Sequence, residues 1–324
     1  MILTITPNPL LDFVIHEAQP PTAGGHRVGH IPYTVGGKGI NVARMLKTLG
    51  RPGLAVSFAG GPNGEKVRQR LKEQGISAIL IPTGAETRAG INVVVNHPPS
   101  QMWWIEEGEE LTSSECQALF EAVDRECSRT RFLAMSGTIP GKGQTGFYRG
   151  LLERCREGTA EIYLDAHGKP LIEALHVGGF FLKHNRDECR ESFGLDPLNP
   201  LDRQKLMATL REKRVTGALI TDGPRACVLI DHVSISIFQP PSVREVSAVG
   251  SGDAALAGFI FRRAEGESLI ESTRWALAAG AADACHPGPC EATFQEVAAL
   301  VDKVVLLETI PGGAPLKFRD DQSR

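Results

Sequence analysis

Short apolar runs that alternate with amphipathic stretches constrain this chain more than any single motif. Leu54–Phe58, Ile76–Ile81, Phe132–Met135, Glu161–Leu164, Phe180–Leu182 and Ala218–Ile220 read as strands. Helical patterns lie among them near Glu65–Gln74, Thr112–Cys127, Phe147–Arg156 and Pro200–Lys213. Strand–helix alternation at this spacing predicts an α/β fold, with a mostly parallel sheet covered by helices.

Three segments break the alternation. Phe13–His16, Arg27–Val35 and Gly90–Ile105 are β-like, yet no helix separates paired runs. Asn96-His97-Pro98-Pro99-Ser100 reads as the turn of a hairpin. These segments, at about residues 10–18, 27–35 and 89–106, are expected to form a small antiparallel lid. Trp103 and Trp104 would then face opposite sides of it, one packed in the core and the other at an interface. The last third reads as helical, over Asp253–Arg263, Ser268–Ala282 and Thr293–Leu300. Thr293 and Glu296 fit a capping box. The polar tail from Phe318 is expected to fray. No internal repeat divides the chain, so one domain over residues 1–324 is expected.

Composition excludes several functions. Lys and Arg number 35 and Asp and Glu 38, a net charge of −3, which gives no broad anion-binding surface for nucleic acid. No apolar run approaches the ~18 residues of a membrane span. The short stretch before Pro7 leaves no room for a secretory leader, and seven cysteines without a Cys-x-x-Cys pair read as reduced thiols. A cytoplasmic location is expected. Walker A fails because Gly39 follows Gly37-Lys38 and Gly143 follows Gly141-Lys142, where Ser or Thr is required. Cys285, His286 and Cys290 lack a second ligand pair at zinc spacing.

Glycine is in excess, 35 of 324 residues, and it clusters. Gly250-Ser251-Gly252-Asp253 falls where a helix should begin. A dinucleotide pyrophosphate would be repelled there by Asp253. The same backbone amides suit the charge that develops on a transferring phosphoryl group, and Asp253 could accept a proton from an attacking hydroxyl. The simpler reading is an ordinary N-cap, an Asp at a helix start beside two turn glycines. Gly36-Gly37-Lys38-Gly39-Ile40-Asn41 is a glycine turn before an amphipathic helix, with Lys38 for an anionic group and Asn41 for sugar hydroxyls. Asn185 and Glu188, three apart at a helix start, could hold a hydrated Mg²⁺ through water or form an ordinary capping box.

Taken together these clusters resemble the PfkB, or ribokinase-like, family of sugar kinases. The likeness is strongest to the branch of 1-phosphofructokinases and tagatose-6-phosphate kinases. It is carried by Thr6-Pro7-Asn8-Pro9-x-x-Asp12, by Gly36-Gly37-Lys38-Gly39-x-Asn41-Val42-Ala43-Arg44, by Glu86-Thr87-Arg88 with Ile91-Asn92-Val93, and by Gly250-x-Gly252-Asp253.

The resemblance implies a three-layer α/β/α domain with a β-sheet lid that can form a homodimer interface. It implies ATP and Mg²⁺. Asp253 would be the catalytic base, with Gly250, Ser251 and Gly252 as the anion hole. Asp12, Gly37, Lys38 and Asn41 would hold the sugar. Arg88, with Lys38 and Arg27, would meet a phosphate already on the substrate. Lys183, Asn185, Glu188, Thr221 and Gly223 would lie at the nucleotide and its metal.

One departure bears on the nucleotide. Thr221-Asp222-Gly223-Pro224-Arg225-Ala226 lacks the family's second glycine, and Asp222 is expected to put negative charge near the ATP phosphates. The sequence therefore predicts a kinase for a phosphorylated ketohexose. A kinase for an unphosphorylated sugar or nucleoside is the alternative, as is a sugar-phosphate-binding regulator without turnover.

Overall fold

Ile2–Thr6, a fully buried run, forms strand β1. The chain next makes β2 (Leu10–Glu17) and β3 (Tyr33–Gly36) of a separate sheet. It returns through α1 (Lys38–Thr48), β4 (Leu54–Gly60), α2 (Gly61–Glu73) and β5 (Ser77–Thr83). The hairpin strands β6 (Ala89–Val95) and β7 (Ser100–Ile105) complete the separate sheet. Strands and helices then alternate as α3 (Ser113–Cys127), β8 (Phe132–Ser136), α4 (Phe147–Cys155), β9 (Glu161–Asp165), α5 (Gly168–Leu175), β10 (Phe181–Asn185), α6 (Arg186–Phe193), α7 (Pro200–Glu212) and β11 (Gly217–Thr221). After β12 (Cys227–Ile230) and β13 (Ser234–Gln239) come α8 (Ser251–Arg263), α9 (Leu269–Asp283), α10 (Phe294–Val301) and β14 (Val305–Pro311). This computed structural model describes residues 1–312 except 23, 25, 26, 28, 96–99, 142 and 157. The predicted turn over 96–99 and the polar tail from 318 lie outside the described residues.

The main sheet runs in the order β14-β13-β12-β11-β10-β9-β8-β1-β4-β5. From β11 to β5 neighbouring strands are parallel. Side chains along each strand alternate between two cores, as a period of two requires. Leu133 and Met135 of β8 join one core, with Leu119 of α3, Leu151 of α4 and Leu206 of α7. Phe132 and Ala134 of the same strand join the other, with Met45 of α1, Phe259 of α8 and Ala278 of α9. Helices on both faces cover the sheet as the strand–helix alternation predicts, in the three-layer α/β/α arrangement that the resemblance implies.

Three local expectations need correction. The small sheet, ordered β3-β2-β6-β7, is mixed: its central strands β2 and β6 pair in parallel. They come from distant parts of the chain, which local pattern does not encode. The segment predicted at Arg27–Val35 becomes a strand only over Tyr33–Gly36. Trp103 and Trp104 are each 60% exposed, so neither packs in the core. They stand on β7, an edge strand. The antiparallel margin β12–β14 was not predicted, because no helices separate β12 from its neighbours.

The strand order places the site. It reverses at β1, which lies between β8 and β4 although the chain builds β4 first. In open α/β sheets, ligands bind outside the carboxyl ends of strands at such a reversal. The ends of β9, β10 and β11 bring Asp165, Asn185 and Thr221 to that edge. Among the described residues, no helix is long and apolar enough to cross a membrane.

Candidate active site

A cavity of about 730 Å³ opens along this edge, between the small sheet and the first turns of α1 and α8. Asp12, Gly37, Lys38, Asn41, Arg88, Lys183, Asn185, Glu188, Thr221, Gly223 and Gly250 through Asp253 all line it. Arg27, exposed, is not among the residues that line it and does not join the predicted phosphate group.

Two glycines let the helices start so close to the sheet. Gly37 caps α1 with φ +118°, and a Cβ there would lie 2.6 Å from Thr6 Cγ2. Gly250 caps α8 with φ +89°, and a Cβ there would collide with Pro289. Both helices start at the cavity, and the first-turn N–H groups of a helix favour an anion; that of Ser251 donates to the Ala248 carbonyl at 3.3 Å.

Asp253 sits in the first turn of α8, 6% exposed. Asn41 Nδ2 donates to its Oδ2 at 2.8 Å, joining the two helix starts. Burial pushes this carboxyl up to about 7; Lys38 pulls it down, Asp165 pushes it up, and Asn41 and Lys183 pull it down. A carboxylate near 7 is matched to proton abstraction at neutral pH.

Lys38 is held by two carboxylates. Its Nζ lies 2.6 Å from Asp165 Oδ1 and 3.6 Å from Glu188 Oε1. Against the cost of burial, Asp165, Glu188 and Asp253 keep its ammonium above the ordinary lysine range. Asp165, buried, is held below the ordinary carboxylate range by Lys38 and Lys183. Lys38 is therefore already paired within the site, so a substrate phosphate would share it with Asp165 and Glu188. Asp165 was not predicted as a site residue; an acid at the carboxyl end of a predicted strand was the available signal.

Arg88 has the opposite surroundings. Its guanidinium donates to the carbonyls of Asn8 (3.1 Å), Pro9 (3.3 Å) and Glu106 (3.1 Å). All three acceptors are neutral, so the positive charge at the cavity wall is not cancelled by them. Burial pushes its pKa down. Asp12, on β2, is pushed up to about 6 by burial.

The far wall carries the remaining predicted residues. Lys183 Nζ donates to Thr221 Oγ1 and to the His184 carbonyl, each at 3.2 Å. Asn185 and Glu188 form a capping box on α6. The box uses Glu188 Oε2, leaving Oε1 toward Lys38. Asp222 is not among the lining residues. Arg186 Nη1 donates to it at 3.1 Å and Arg225 pairs with it, and Arg225 first and Arg186 second hold it below the usual carboxylate range. Its charge is compensated outside the cavity, which corrects the expected repulsion of nucleotide phosphates. Gln101, also not predicted, bridges the small sheet to the loop before α8. Its Nε2 donates to Asn92 Oδ1 at 2.8 Å and its Oε1 accepts from Ser247 Oγ at 2.9 Å.

A buried carboxylate between two helix starts, at the reversal of a parallel sheet, marks an enzyme that transfers a group to a hydroxyl. The sequence matches the model of the pfkB family of carbohydrate kinases over residues 8–295, and the chain belongs to that family. It is a phosphotransferase with an alcohol group as acceptor. A 1-phosphofructokinase of Borreliella burgdorferi is 28% identical over 299 residues, 92% of this chain and 95% of the relative. A D-tagatose-1-phosphate kinase of Klebsiella oxytoca is 25% identical, over 87% of this chain and 91% of the relative. Phosphofructokinase-2 of Escherichia coli, solved in complex with potassium, aligns with a TM-score of 0.86 at 25% identity, covering 93% of this chain and 98% of that one. Sugar kinases of this family use ATP.

Proposed function

We propose that this chain, as one domain with the small sheet as its lid, transfers the γ-phosphoryl group of ATP to a hydroxyl of a phosphorylated ketohexose. The observation that carries the reading is the buried Asp253, tied by Asn41 to the start of α1 and facing the same cavity as Arg88, whose described bonds all end on neutral carbonyls. The sugar hydroxyl attacks the γ-phosphorus and gives its proton to Asp253. The new O–P bond forms as the bond to the bridging oxygen breaks, and ADP leaves with that electron pair. The amides of Gly250, Ser251 and Gly252 face the charge on the transferring group. Asp12, Gly37 and Asn41 hold the sugar, and Arg88 its phosphate. Lys183, Asn185, Thr221 and Gly223 line the nucleotide side.

Among the described residues, no group of three or more His, Cys, Asp or Glu side chains could hold a metal ion. Mg²⁺ keeps most of its waters and needs few protein ligands, and Glu188, through Oε1, would hold it through water. When bound, Mg²⁺ would neutralise charge on the phosphate chain. The names of the Borreliella and Klebsiella relatives support a ketohexose phosphate as substrate. Exposed Ile91 and Trp104, paired across β6 and β7 of the small sheet, favour a homodimer through it.

The test is ADP release with fructose 1-phosphate, fructose 6-phosphate, tagatose 1-phosphate, tagatose 6-phosphate, fructose and ribose. Turnover is expected with one or more sugar phosphates, and turnover with fructose or ribose alone would overturn the Arg88 assignment. Asp253→Asn should lower kcat ~10²–10⁴-fold. A near-normal kcat would remove Asp253 as the base.

A further inference from the structure

Arg44 is a buried cation that the mechanism above does not use. It lies one helical turn beyond Asn41 on α1. Its Nη1 donates to Asn41 Oδ1 at 2.7 Å and reaches the Pro289 carbonyl at 3.5 Å. Its Nη2 donates to the Val35 carbonyl at 2.5 Å and to Gln74 Oε1 at 3.4 Å. These four acceptors are neutral oxygens on α1, on the turn against Gly250, on β3 and after α2. The guanidinium is thus pinned from several sides, and Asn41 receives one of its two shortest bonds.

An asparagine amide has a donor end and an acceptor end, whereas a guanidinium only donates. Oδ1 must therefore face Arg44. The NH₂ group then points the other way, where Asp253 Oδ2 accepts at 2.8 Å. Flipping the amide would set NH₂ against the guanidinium and Oδ1 against the carboxylate, exchanging two hydrogen bonds for two repulsions.

We propose that Arg44 is a positioning residue: it locks the Asn41 amide so that its NH₂ group is always presented to the base. The proposal rests on the reading of Asp253 as that base. Lys38, Lys183, Asp165 and the buried Cys290 thiol also act on Asp253, together with Arg44 itself. Of these, only Arg44 also bonds to the amide that touches Asp253. Asn41 stabilises the ionised carboxylate, so freeing the amide to flip should raise the proton affinity of Asp253 and shrink the competent fraction at neutral pH.

The test compares Arg44→Met, Arg44→Lys, Asn41→Ala and the double variant Arg44→Met/Asn41→Ala. The readouts are the pH dependence of kcat/KM, the ¹³C NMR titration of the Asp253 carboxyl, and Tm. In Arg44→Met the acid limb and the NMR titration should both move up by about half to one pH unit. At pH 7 kcat should fall ~2–6-fold, with each KM within ~3-fold. Arg44→Lys should restore the limb, because an ammonium also only donates, while losing Tm. In the Asn41→Ala background only the direct charge effect of Arg44 on Asp253 remains, so Arg44→Met should move the limb by less than half as much as it does with Asn41 present. If Arg44→Met proves too unstable to purify, Arg44→Gln carries the same expectation, since an amide accepts as readily as it donates.

A lower Tm with an unmoved limb would overturn the proposal, as would an equal shift without Asn41. Near-normal turnover by Asp253→Asn would instead sink the base assignment, a separate failure.

Discussion

Lys38 and Arg88 face one cavity, and from sequence they look equivalent: two cations beside glycine-rich or strand-end motifs. The structure treats them oppositely. Lys38 is gripped by Asp165 and Glu188, while the three described bonds of Arg88 end on neutral carbonyls. The first cation is part of an internal charge balance around Asp253. The second brings to the cavity wall a charge that its described bonds leave uncancelled, where a phosphate would complete it. Availability of a charge is thus a property of its partners, not of the residue type.

Exchanging each cation for a neutral side chain separates the two roles. Lys38→Met leaves buried Asp165 without its nearest cation and raises the proton affinity of Asp253. It should cost about 2–4 kcal/mol in denaturant titrations and lower kcat ~10²-fold. An unchanged kcat would show that the charge balance is incidental. Arg88→Met should raise KM for the sugar phosphate ~10–10²-fold, the worth of one charge-assisted contact, with kcat within ~3-fold. The same rise in KM for an unphosphorylated sugar would show that Arg88 shapes the cavity and does not read phosphate.

A smaller effect concerns pH. As the proposed base, Asp253 would have to be ionised to act, so kcat/KM should rise through about pH 7 and level above it. The linked stability has the opposite sign. A carboxyl raised from 3.8 to about 7 binds its proton more tightly in the folded state. Stability is therefore lost as pH rises through that window. Asp253→Asn should accordingly raise Tm at pH 8 while abolishing most turnover, and a lowered Tm would contradict a costly buried charge. The smallest effect is expected at Asp222→Asn, with KM for ATP within ~2-fold and a stability loss of about 1 kcal/mol. A KM change of tenfold would place Asp222 back at the nucleotide.

Much of the site was legible because its residues sit at strand ends and helix starts, which leave local traces. Gly37, Asn41, Gly250 and Asp253 belong to turns whose glycines announce them. The long-range pairings left no such trace. Lys38 meets Asp165 from 127 residues away, and Asp222 meets Arg186 from 36. Either acid could be read as a site residue or as a solvated charge until its partner was known. The fold shows the same division. The parallel half of the sheet was legible from its interposed helices. The parallel pairing of β2 with β6 and the β12–β14 margin depend on tertiary contacts that periodicity does not record.

The burial of α8 has a further consequence, for the order in which the site comes apart. Every residue from Asp253 to Phe261 is buried, whereas β7 is a largely exposed edge strand joined to the α8 loop through Gln101 and Ser247. Amide protons of α8 should exchange with solvent only through global unfolding, and those of β7 through local opening. Mild denaturant should therefore release the strand that roofs the cavity well before it disturbs the helix that holds the base. The protein would pass through a state with an intact acid–base centre and a substrate side open to water.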